Sequence, residues 1–504
     1  MTLKSKSPAI IIASIAFLFF ILQVLIRVDT YYLSDPLVKM IQTVSLWKQN
    51  WSTEGILYPA RDLDPLFQLS PLNEGFVFLN NDRLIGQYPI AFTSLYSLFG
   101  FLPFSVLPYF NFIFLLLFIN LLFKNSIQIS TIIIVSLGTV VFPLLVDFSE
   151  NGLFIILAGY GYSFLFKAFL SDKKNDWILG NLFLGLSLWF RLEGILFFFA
   201  IQATIGFIQI FIKKESIIQN FHPVRYSIFI LFLIAFLLWN TFSYSHPLGT
   251  RHLTNFDHNG RTITDQIKIF FSMVFTYPRP DGWSFGFFLH SPIFLYAIAK
   301  LRKKQILDHP NLLFHLLSAI IFIIIAGISS PNDGITLTGR YLVVTIFPLS
   351  FILNEQMEKL KTKKWILYSI YTWMLLCSFV VILIFYFSSS ELRKLRKELS
   401  KFNSPLIVTT NELISGGFGL ELVDKKVICV RRDNLLDYFS ENLKKNMPNE
   451  FTILTVEKET NYNKDERRLF TSILTKSEQS GYDCSTEEHT ARILGRKCIQ
   501  LKQK

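Results

Sequence analysis

Long apolar runs separated by small basic clusters dominate the pattern of this chain. From the N-terminus to about Ser388, runs of about 20 apolar residues recur, each long enough to cross the hydrocarbon core of a bilayer as a helix. Several linkers between them carry small groups of Lys and Arg, such as the basic residues at 167–174 and 300–304. The pattern predicts a polytopic α-helical membrane protein.

The apolar runs predict about eleven spans. The first run resembles a signal peptide, but no small-residue cleavage site follows it, which favours an uncleaved span. Because basic linkers favour the cytoplasmic side, the N-terminus is predicted inside and the C-terminus outside. The predicted spans are 8–28, 103–123, 127–146, 153–170, 177–190, 195–212, 226–242, 286–299, 311–328, 341–351 and 365–387.

The segment 88–123 admits one span or two. If only 103–123 crosses, Lys124 and the later basic clusters all lie inside, whereas two crossings would place them outside. We therefore predict that 89–100 is a helix at the membrane surface.

Three polar segments are then external: 29–88, 243–284 and 329–340. The first is the longest early polar stretch and carries several acids. Asp35 followed by Pro36 reads as a helix start, and apolar residues at helical spacing predict an amphipathic surface helix over 36–51. Residues 57–81, rich in Pro, Asn and Asp, are predicted to be irregular.

The composition changes to that of a soluble protein after Ser388. A charged helix is predicted at 391–401, then β-like runs at 405–410, 426–430 and 451–456 alternate with helical stretches such as 434–445. We therefore predict a membrane module over 1–388 and a small extracytoplasmic α/β domain over 389–504. Cys484 and Cys498 are a hypothetical disulfide pair in that domain.

Composition fits this interpretation. The chain of 504 residues is 51% hydrophobic, contains 53 Phe and has a mean hydropathy of +0.41. Its net charge of +12 lies largely in the basic clusters between apolar runs, so it indicates topology and no nucleic-acid partner.

Several short motifs follow one another along the chain. They are Ser34-Asp35-Pro36, Tyr88-Pro89-Ile90 with Phe99-Gly100, Phe148-Ser149-Glu150, Phe190-Arg191-Leu192-Glu193-Gly194, Ser245-His246-Pro247-Leu248-Gly249, Leu289-His290-Ser291-Pro292 and Gly339-Arg340-Tyr341-Leu342 with Pro348. Their order resembles that of the GT-C superfamily of integral-membrane glycosyltransferases. Ser34-Asp35-Pro36 is similar to the family's acidic motif after the first span, with Pro36 where the family has a second acid.

The resemblance implies transfer of a sugar from a polyprenyl-phosphate donor to a lipid-linked, glycan or protein acceptor on the outer side. Such transfer needs a carboxylate that accepts the proton of the attacking hydroxyl. Asp35 suits this role because a helix start fixes its backbone; the alternative is a helix cap alone. Asp29 is the second candidate, against the alternative of a solvated residue just past a span.

The leaving lipid phosphate needs positive charge. Arg340, which opens a span after a flexible loop, is the first candidate; the alternative is an interfacial Arg that reaches for water. Arg191, with Glu193, either contacts substrate or forms a structural ion pair. Further candidates for substrate binding are Glu150, Arg83, His246, Arg251 and His252.

The sequence also bears on metal binding, on cellular location and on the class of function. His246, His252 and His258 do not match a zinc motif, so no metal ligand is assigned, and the sequence leaves a divalent cation open. We expect an integral protein of a bacterial plasma membrane. Two alternatives remain: a flippase or transporter of lipid-linked sugars, although no internal repeat is seen, and a lipid-linked-glycan ligase or polymerase.

Overall fold

Contacts divide the chain into two compact units. The structure, a computed structural model, describes residues 8–30, 35–72, 74–214, 223–250, 262–279, 282–330, 338–360, 364–457 and 464–501. The helical unit comprises Met1–Leu25 and Tyr109–Ile384, and the mixed unit comprises Ile26–Pro108 and Phe385–Lys504. Contacts therefore group the first polar loop with the C-terminal residues rather than with its neighbours in the chain.

The described secondary structure is mainly helical. The α-helices are α1 (Pro8–Ile26), α2 (Asp35–Lys48), α3 (Ile90–Ser97), α4 (Asn111–Lys124), α5 (Ile129–Gly138), α6 (Val141–Val146), α7 (Asn151–Ser171), α8 (Lys174–Leu188), α9 (Glu193–Phe207), α10 (Ser227–Tyr244), α11 (Ile263–Val274), α12 (Phe287–His290), α13 (Ile293–Ala299), α14 (Lys303–Asp308), α15 (Pro310–Ser329), α16 (Ile346–Leu360), α17 (Lys364–Leu399), α18 (Glu412–Gly417), α19 (Leu436–Asn446) and α20 (Lys464–Gln479). The strands are β1 (Val77–Asn80), β2 (Arg83–Gly86), β3 (Pro278–Arg279), β4 (Gly282–Trp283), β5 (Leu406–Thr409), β6 (Lys426–Cys429), β7 (Glu450–Val456), β8 (Tyr482–His489) and β9 (Ile493–Gln500).

Helices lie at every predicted span position. By length and composition alone, six described helices are long and apolar enough to cross a bilayer: Phe104–Lys124, Asn151–Ser171, Glu193–Ile212, Ser227–Tyr244, Pro310–Ser329 and Lys364–Leu399. The remaining predicted spans are shorter or interrupted, for example where α5 gives way to α6 and α12 to α13. The predicted polytopic helical fold with a small C-terminal domain is confirmed.

Glycines allow close helix packing in the helical unit. A Cβ at Gly161 on α7 would lie 2.6 Å from the Leu184 side chain of α8, and one at Gly180 on α8 would lie 2.6 Å from Leu165 of α7. Small residues that let two backbones approach are the usual device of membrane helices, where no hydrophobic force drives association.

The mixed unit contains a five-stranded sheet of order β6-β5-β7-β9-β8. The central strand β5 runs parallel to β6 and β7, while β9 is antiparallel to β7 and β8. The three predicted strands are confirmed, and β8 and β9 were not predicted. A disulfide joins Cys484 on β8 to Cys498 on β9, which confirms the hypothetical pair.

The middle of the first polar loop packs against this sheet. Ala60, Leu63 and Leu69 are buried in the same apolar core as the strands. The Leu69 carbonyl accepts a hydrogen bond of 2.8 Å from the Cys429 amide, which extends the pairing beside β6. Residues 57–72 therefore belong to the folded core of the mixed unit.

Two expectations about the first loop are corrected. Helix α2 exists, but it is no amphipathic surface helix, because every residue from Pro36 to Leu46 is buried. It packs against α3, β2 and the 3-10 helix Gly419–Val423, so its polar face is covered too. Several of its polar groups find internal partners; the Ser45 hydroxyl, for example, accepts a 2.9 Å hydrogen bond from the Leu57 backbone amide.

The second correction concerns residues 57–81, which were expected to be irregular. Strands β1 and β2 form an antiparallel hairpin that begins at Val77. Its two turn residues, Asn81 and Asp82, have φ of 48° and 56°. Asn and Asp tolerate this left-handed conformation, which a two-residue hairpin turn requires.

Helix α17 corrects the predicted break at Ser388. The last span and the charged helix expected at 391–401 form one helix of 36 residues, Lys364–Leu399. Ser388–Ser390 has no helix-breaking residue, and a helix of this length measures about 54 Å at 1.5 Å per residue. The helix therefore exceeds the roughly 30 Å hydrocarbon core and continues into the mixed unit.

Candidate active site

Asp35 is the first residue of α2 and lies in the mixed unit. Tyr88 lies two residues before α3 begins, and its hydroxyl donates a hydrogen bond to Asp35 Oδ1. The side-chain Nε2 of Gln87 in turn donates to the Tyr88 hydroxyl at 3.3 Å. Asp35 remains partly exposed while Tyr88 is buried, so a fixed hydroxyl orients an accessible carboxylate.

A buried lysine adjoins this pair. Lys39 lies one helical turn after Asp35, is only 2% exposed, and places its ammonium 4.3 Å from the centroid of the Tyr88 ring. A desolvated cation over an aromatic face is worth about 2 kcal/mol. Asp35, Lys39 and Tyr88 therefore form one polar cluster, which we call the α2 cluster.

Asp29 and Arg83 lie in the same unit but in other contacts. Asp29, in the 3-10 helix Val28–Thr30, pairs with Arg27 at 3.2 Å. Arg83 opens β2 and donates to the Thr53 hydroxyl at 3.3 Å. These local contacts favour supporting roles for both side chains.

Glu150, Arg191 and Glu193 meet in the helical unit. Arg191 is 1% exposed and contacts Glu193 at 2.5 Å and Glu150 at 3.8 Å. It also donates to the Asn151 side chain at the start of α7. Charges buried in a helical membrane unit are costly without such partners. The pairing of Arg191 with Glu193 is thus observed, and Glu150 joins it.

Arg340 adjoins the same cluster through one aromatic ring. The 3-10 helix Thr338–Thr345 carries Arg340 and Tyr341. The Arg340 guanidinium lies 5.2 Å from the centroid of the Tyr341 ring, and that of Arg191 lies 5.3 Å from the same centroid. Two of the predicted cations therefore share one ring, and we call Glu150, Arg191, Glu193, Arg340 and Tyr341 the arginine cluster.

The remaining candidates belong to the second external loop. His246 lies just after α10 and accepts a hydrogen bond of 3.1 Å from the Leu248 amide. Arg251 and His252, together with His258, lie outside the described residues. Within the described ranges, no group of three or more His, Cys, Asp or Glu side chains could hold a metal ion.

Sequence reasoning missed three members of these clusters. Lys39 interrupts the apolar face of α2 and, at four residues after Asp35, stands on the same side of the helix, a spacing visible in the sequence. Tyr88 and Tyr341 belong to two of the sequence motifs, but no local pattern predicts that their rings contact Lys39 and Arg191.

Comparison with solved structures identifies proteins of similar fold. No protein-family model and no curated protein matches the sequence. The structure matches crystal structures of ArnT from Cupriavidus metallidurans, bound to undecaprenyl phosphate (TM-score 0.55) and in the apo state (TM-score 0.54). Sequence identity is 10%, and each match covers 97% of both chains. The chain therefore shares the fold of these ArnT structures.

A third match is the oligosaccharyltransferase of Archaeoglobus fulgidus tethered to an acceptor peptide, with a TM-score of 0.49 and 12% identity. It covers 96% of this chain and 74% of that one. Within this chain, the α2 cluster belongs to the mixed unit, and the arginine cluster belongs to the helical unit.

Proposed function

We propose that this GT-C protein is a membrane glycosyltransferase that moves a sugar from a polyprenyl phosphate to an acceptor hydroxyl on the extracytoplasmic side. The observation that carries the proposal is the Tyr88 hydrogen bond to Asp35, an accessible carboxylate held at a helix start within a GT-C fold. ArnT, which shares this fold, has been crystallised with undecaprenyl phosphate.

The reaction is a single displacement at the anomeric carbon. The acceptor oxygen forms a bond to that carbon as the bond to the phosphate oxygen breaks, and the bonding pair leaves with the polyprenyl phosphate. Asp35 takes the hydroxyl proton as general base. Because attack and departure occur on opposite faces, the anomeric configuration inverts.

The departing phosphate gains negative charge, which a cation can stabilise. Arg340 is the proposed contact because a guanidinium matches two phosphate oxygens at once. Arg191 has two carboxylate partners, so its proposed role is to hold Tyr341 and the α7 start in place. His246, Arg251 and His252 are proposed to line the substrate path, and Asp29 and Arg83 to support the loop.

A donor panel tests this function. Full-length protein in lipid nanodiscs is incubated with radiolabelled polyprenyl-phosphate sugars and, as comparison donors, polyprenyl-pyrophosphate sugars. We expect at least one polyprenyl-phosphate sugar to be consumed with release of polyprenyl phosphate. Exclusive use of pyrophosphate donors would indicate a ligase or polymerase instead. Translocation of intact donor in proteoliposomes, without turnover, would indicate a flippase.

A further inference from the structure

A groove of about 450 Å³ lies in the mixed unit, and its lining includes no residue of the two clusters described above. One wall is the last part of α17, with Leu392 and Leu395. The other wall is the sheet, where Val456 ends β7 and Ile493 begins β9. Its volume falls in the range of small-molecule sites.

The groove occupies the position where open α/β sheets bind ligands. After β5 the chain builds β6 on one side and then β7 on the other, so the strand order reverses beside β5. Ligands bind outside the carboxyl ends of the strands at such a switch point. Asn411, two residues after β5, and Val456, the last residue of β7, both line the groove.

The groove itself does not suit a phosphate group. The first amides of α18, which would otherwise face an anion, are occupied, because the Asn411 side chain accepts from the Leu413 amide at 2.6 Å and the Ile414 amide at 3.3 Å. Arg492 at the rim pairs with Glu391 at 2.7 Å. The remaining walls are mainly aliphatic, which favours a hydrocarbon occupant.

Helix α17 carries exposed apolar side chains between its apolar span and this groove. By length and composition the helix can cross a bilayer, and it continues to Leu399 without interruption. Ile384, Tyr386 and Phe387 are 41%, 42% and 60% exposed, and Phe387 also lines the groove. Leu413 on the opposite wall is 54% exposed, so the apolar surface stays open on both sides.

We propose that this groove holds an acyl chain of a bilayer phospholipid, which enters along α17. The chain would cover the exposed apolar residues at the point where α17 leaves the hydrocarbon core. Because the rim charges are already paired, a zwitterionic headgroup fits without an uncompensated charge. The site is independent of the proposed sugar transfer.

Photocrosslinking tests this proposal. Full-length protein is placed in phosphatidylcholine nanodiscs that contain phosphatidylcholine with a diazirine near the end of one acyl chain. After irradiation, mass spectrometry maps the labelled peptides. We expect labels on residues 391–395 and 411–414 in addition to the span.

Two substitutions make the result specific. Leu413→Trp fills the groove and should lower labelling of residues 391–395 roughly tenfold, the loss expected when a buried apolar chain is displaced. Ile499→Trp, an exposed residue elsewhere on β9, should leave it unchanged. Exposure of the buried Cys429 thiol in Leu413→Trp would show that this variant does not fold. In that case Ser388→Trp, at another lining residue, serves as the blocking variant. Labels confined to residues 364–386, or unchanged labelling in a folded blocking variant, would overturn the proposal.

Discussion

At the scale of single residues, the Tyr88 hydroxyl is the group that orients the proposed base. Tyr88→Phe keeps the ring, which is 3% exposed and packs against Lys39, and removes the hydroxyl that donates to Asp35 and accepts from the Gln87 side chain. A hydrogen bond to a charged group contributes about 1.5–3 kcal/mol, so we expect kcat to fall roughly 10- to 100-fold.

Steady-state kinetics with a donor that the wild type consumes measures this effect. KM for the donor should stay close to the wild-type value, because the hydroxyl orients the base and is not proposed to bind the lipid. Tyr386→Phe, on an exposed site of α17, serves as the control. An unchanged kcat in Tyr88→Phe would show that the contact does not support catalysis.

Residue-level prediction from sequence succeeded where the signal is local. Asp35 was placed at a helix start by its neighbour Pro36, and the Arg191–Glu193 pair follows from a two-residue separation. The Tyr88–Asp35 contact joins residues 53 positions apart, and no local pattern encodes it. The meeting of Arg191 and Arg340 at Tyr341 was hidden for the same reason.

At the scale of elements, Asp64 fastens the first loop to α19. Its carboxylate accepts hydrogen bonds from the Tyr58 and Tyr438 hydroxyls, both at 3.0 Å, and from the Gln68 and Leu69 amides. In Asp64→Asn, an amide NH₂ replaces one acceptor oxygen and leaves a buried backbone N–H without its partner. We expect the free energy of unfolding of the mixed unit to fall by about 1–3 kcal/mol.

The same residue predicts a pH dependence. Burial raises the pKa of Asp64 above its ordinary 3.8, against the lowering effect of its hydrogen bonds. The folded state then holds this proton more tightly than the unfolded state. Wild-type stability should therefore decrease as pH rises from about 4 through the raised pKa, and Asp64→Asn should lack that decrease.

Reaction of Cys429 with a maleimide during urea unfolding measures both effects. Cys429 is buried on β6, and burial raises the pKa of its thiol, so it stays unreactive until the unit opens. A Cys377→Ala background removes the other free thiol. Equal urea midpoints for Asp64→Asn and wild type from pH 4 to pH 7 would contradict the account.

Elements with a strong apolar signal were predictable, and weakly patterned ones were not. The spans and the buried strands β5, β6 and β7 follow from their apolar runs. Strand β8 was missed because it lies at the sheet edge and reads Tyr-Asp-Cys-Ser-Thr-Glu-Glu-His, largely polar. The buried polar face of α2 could not be foreseen, because tertiary contacts cover it.

At the scale of the whole molecule, the charge pattern predicts topology. It places the basic linkers in the cytoplasm and residues 389–504 outside. The Cys484–Cys498 disulfide agrees with an oxidising compartment for that part of the chain.

Labelling of introduced cysteines in intact cells tests this orientation in the Cys377→Ala background, where the remaining free thiol, Cys429, is buried. Glu441→Cys, exposed on α19, should react with a membrane-impermeant maleimide, whereas Lys303→Cys, exposed on α14, should react only after lysis. The opposite pattern would invert the topology and move the proposed chemistry to the cytoplasmic side.

The central claim, that Asp35 is the base of a sugar transfer, is tested most directly by one substitution and its matched control. Asp35→Asn keeps the size of the side chain and removes its basicity. Asp82→Asn changes an acid in the same loop at a turn position that Asn also tolerates. General-base catalysis typically contributes 10²–10⁴-fold, so the rate of transfer by Asp35→Asn should fall at least about 100-fold. Protection of Cys429 from maleimide checks that the variant is folded. Asp82→Asn should keep the wild-type rate. A wild-type rate in folded Asp35→Asn would contradict the account.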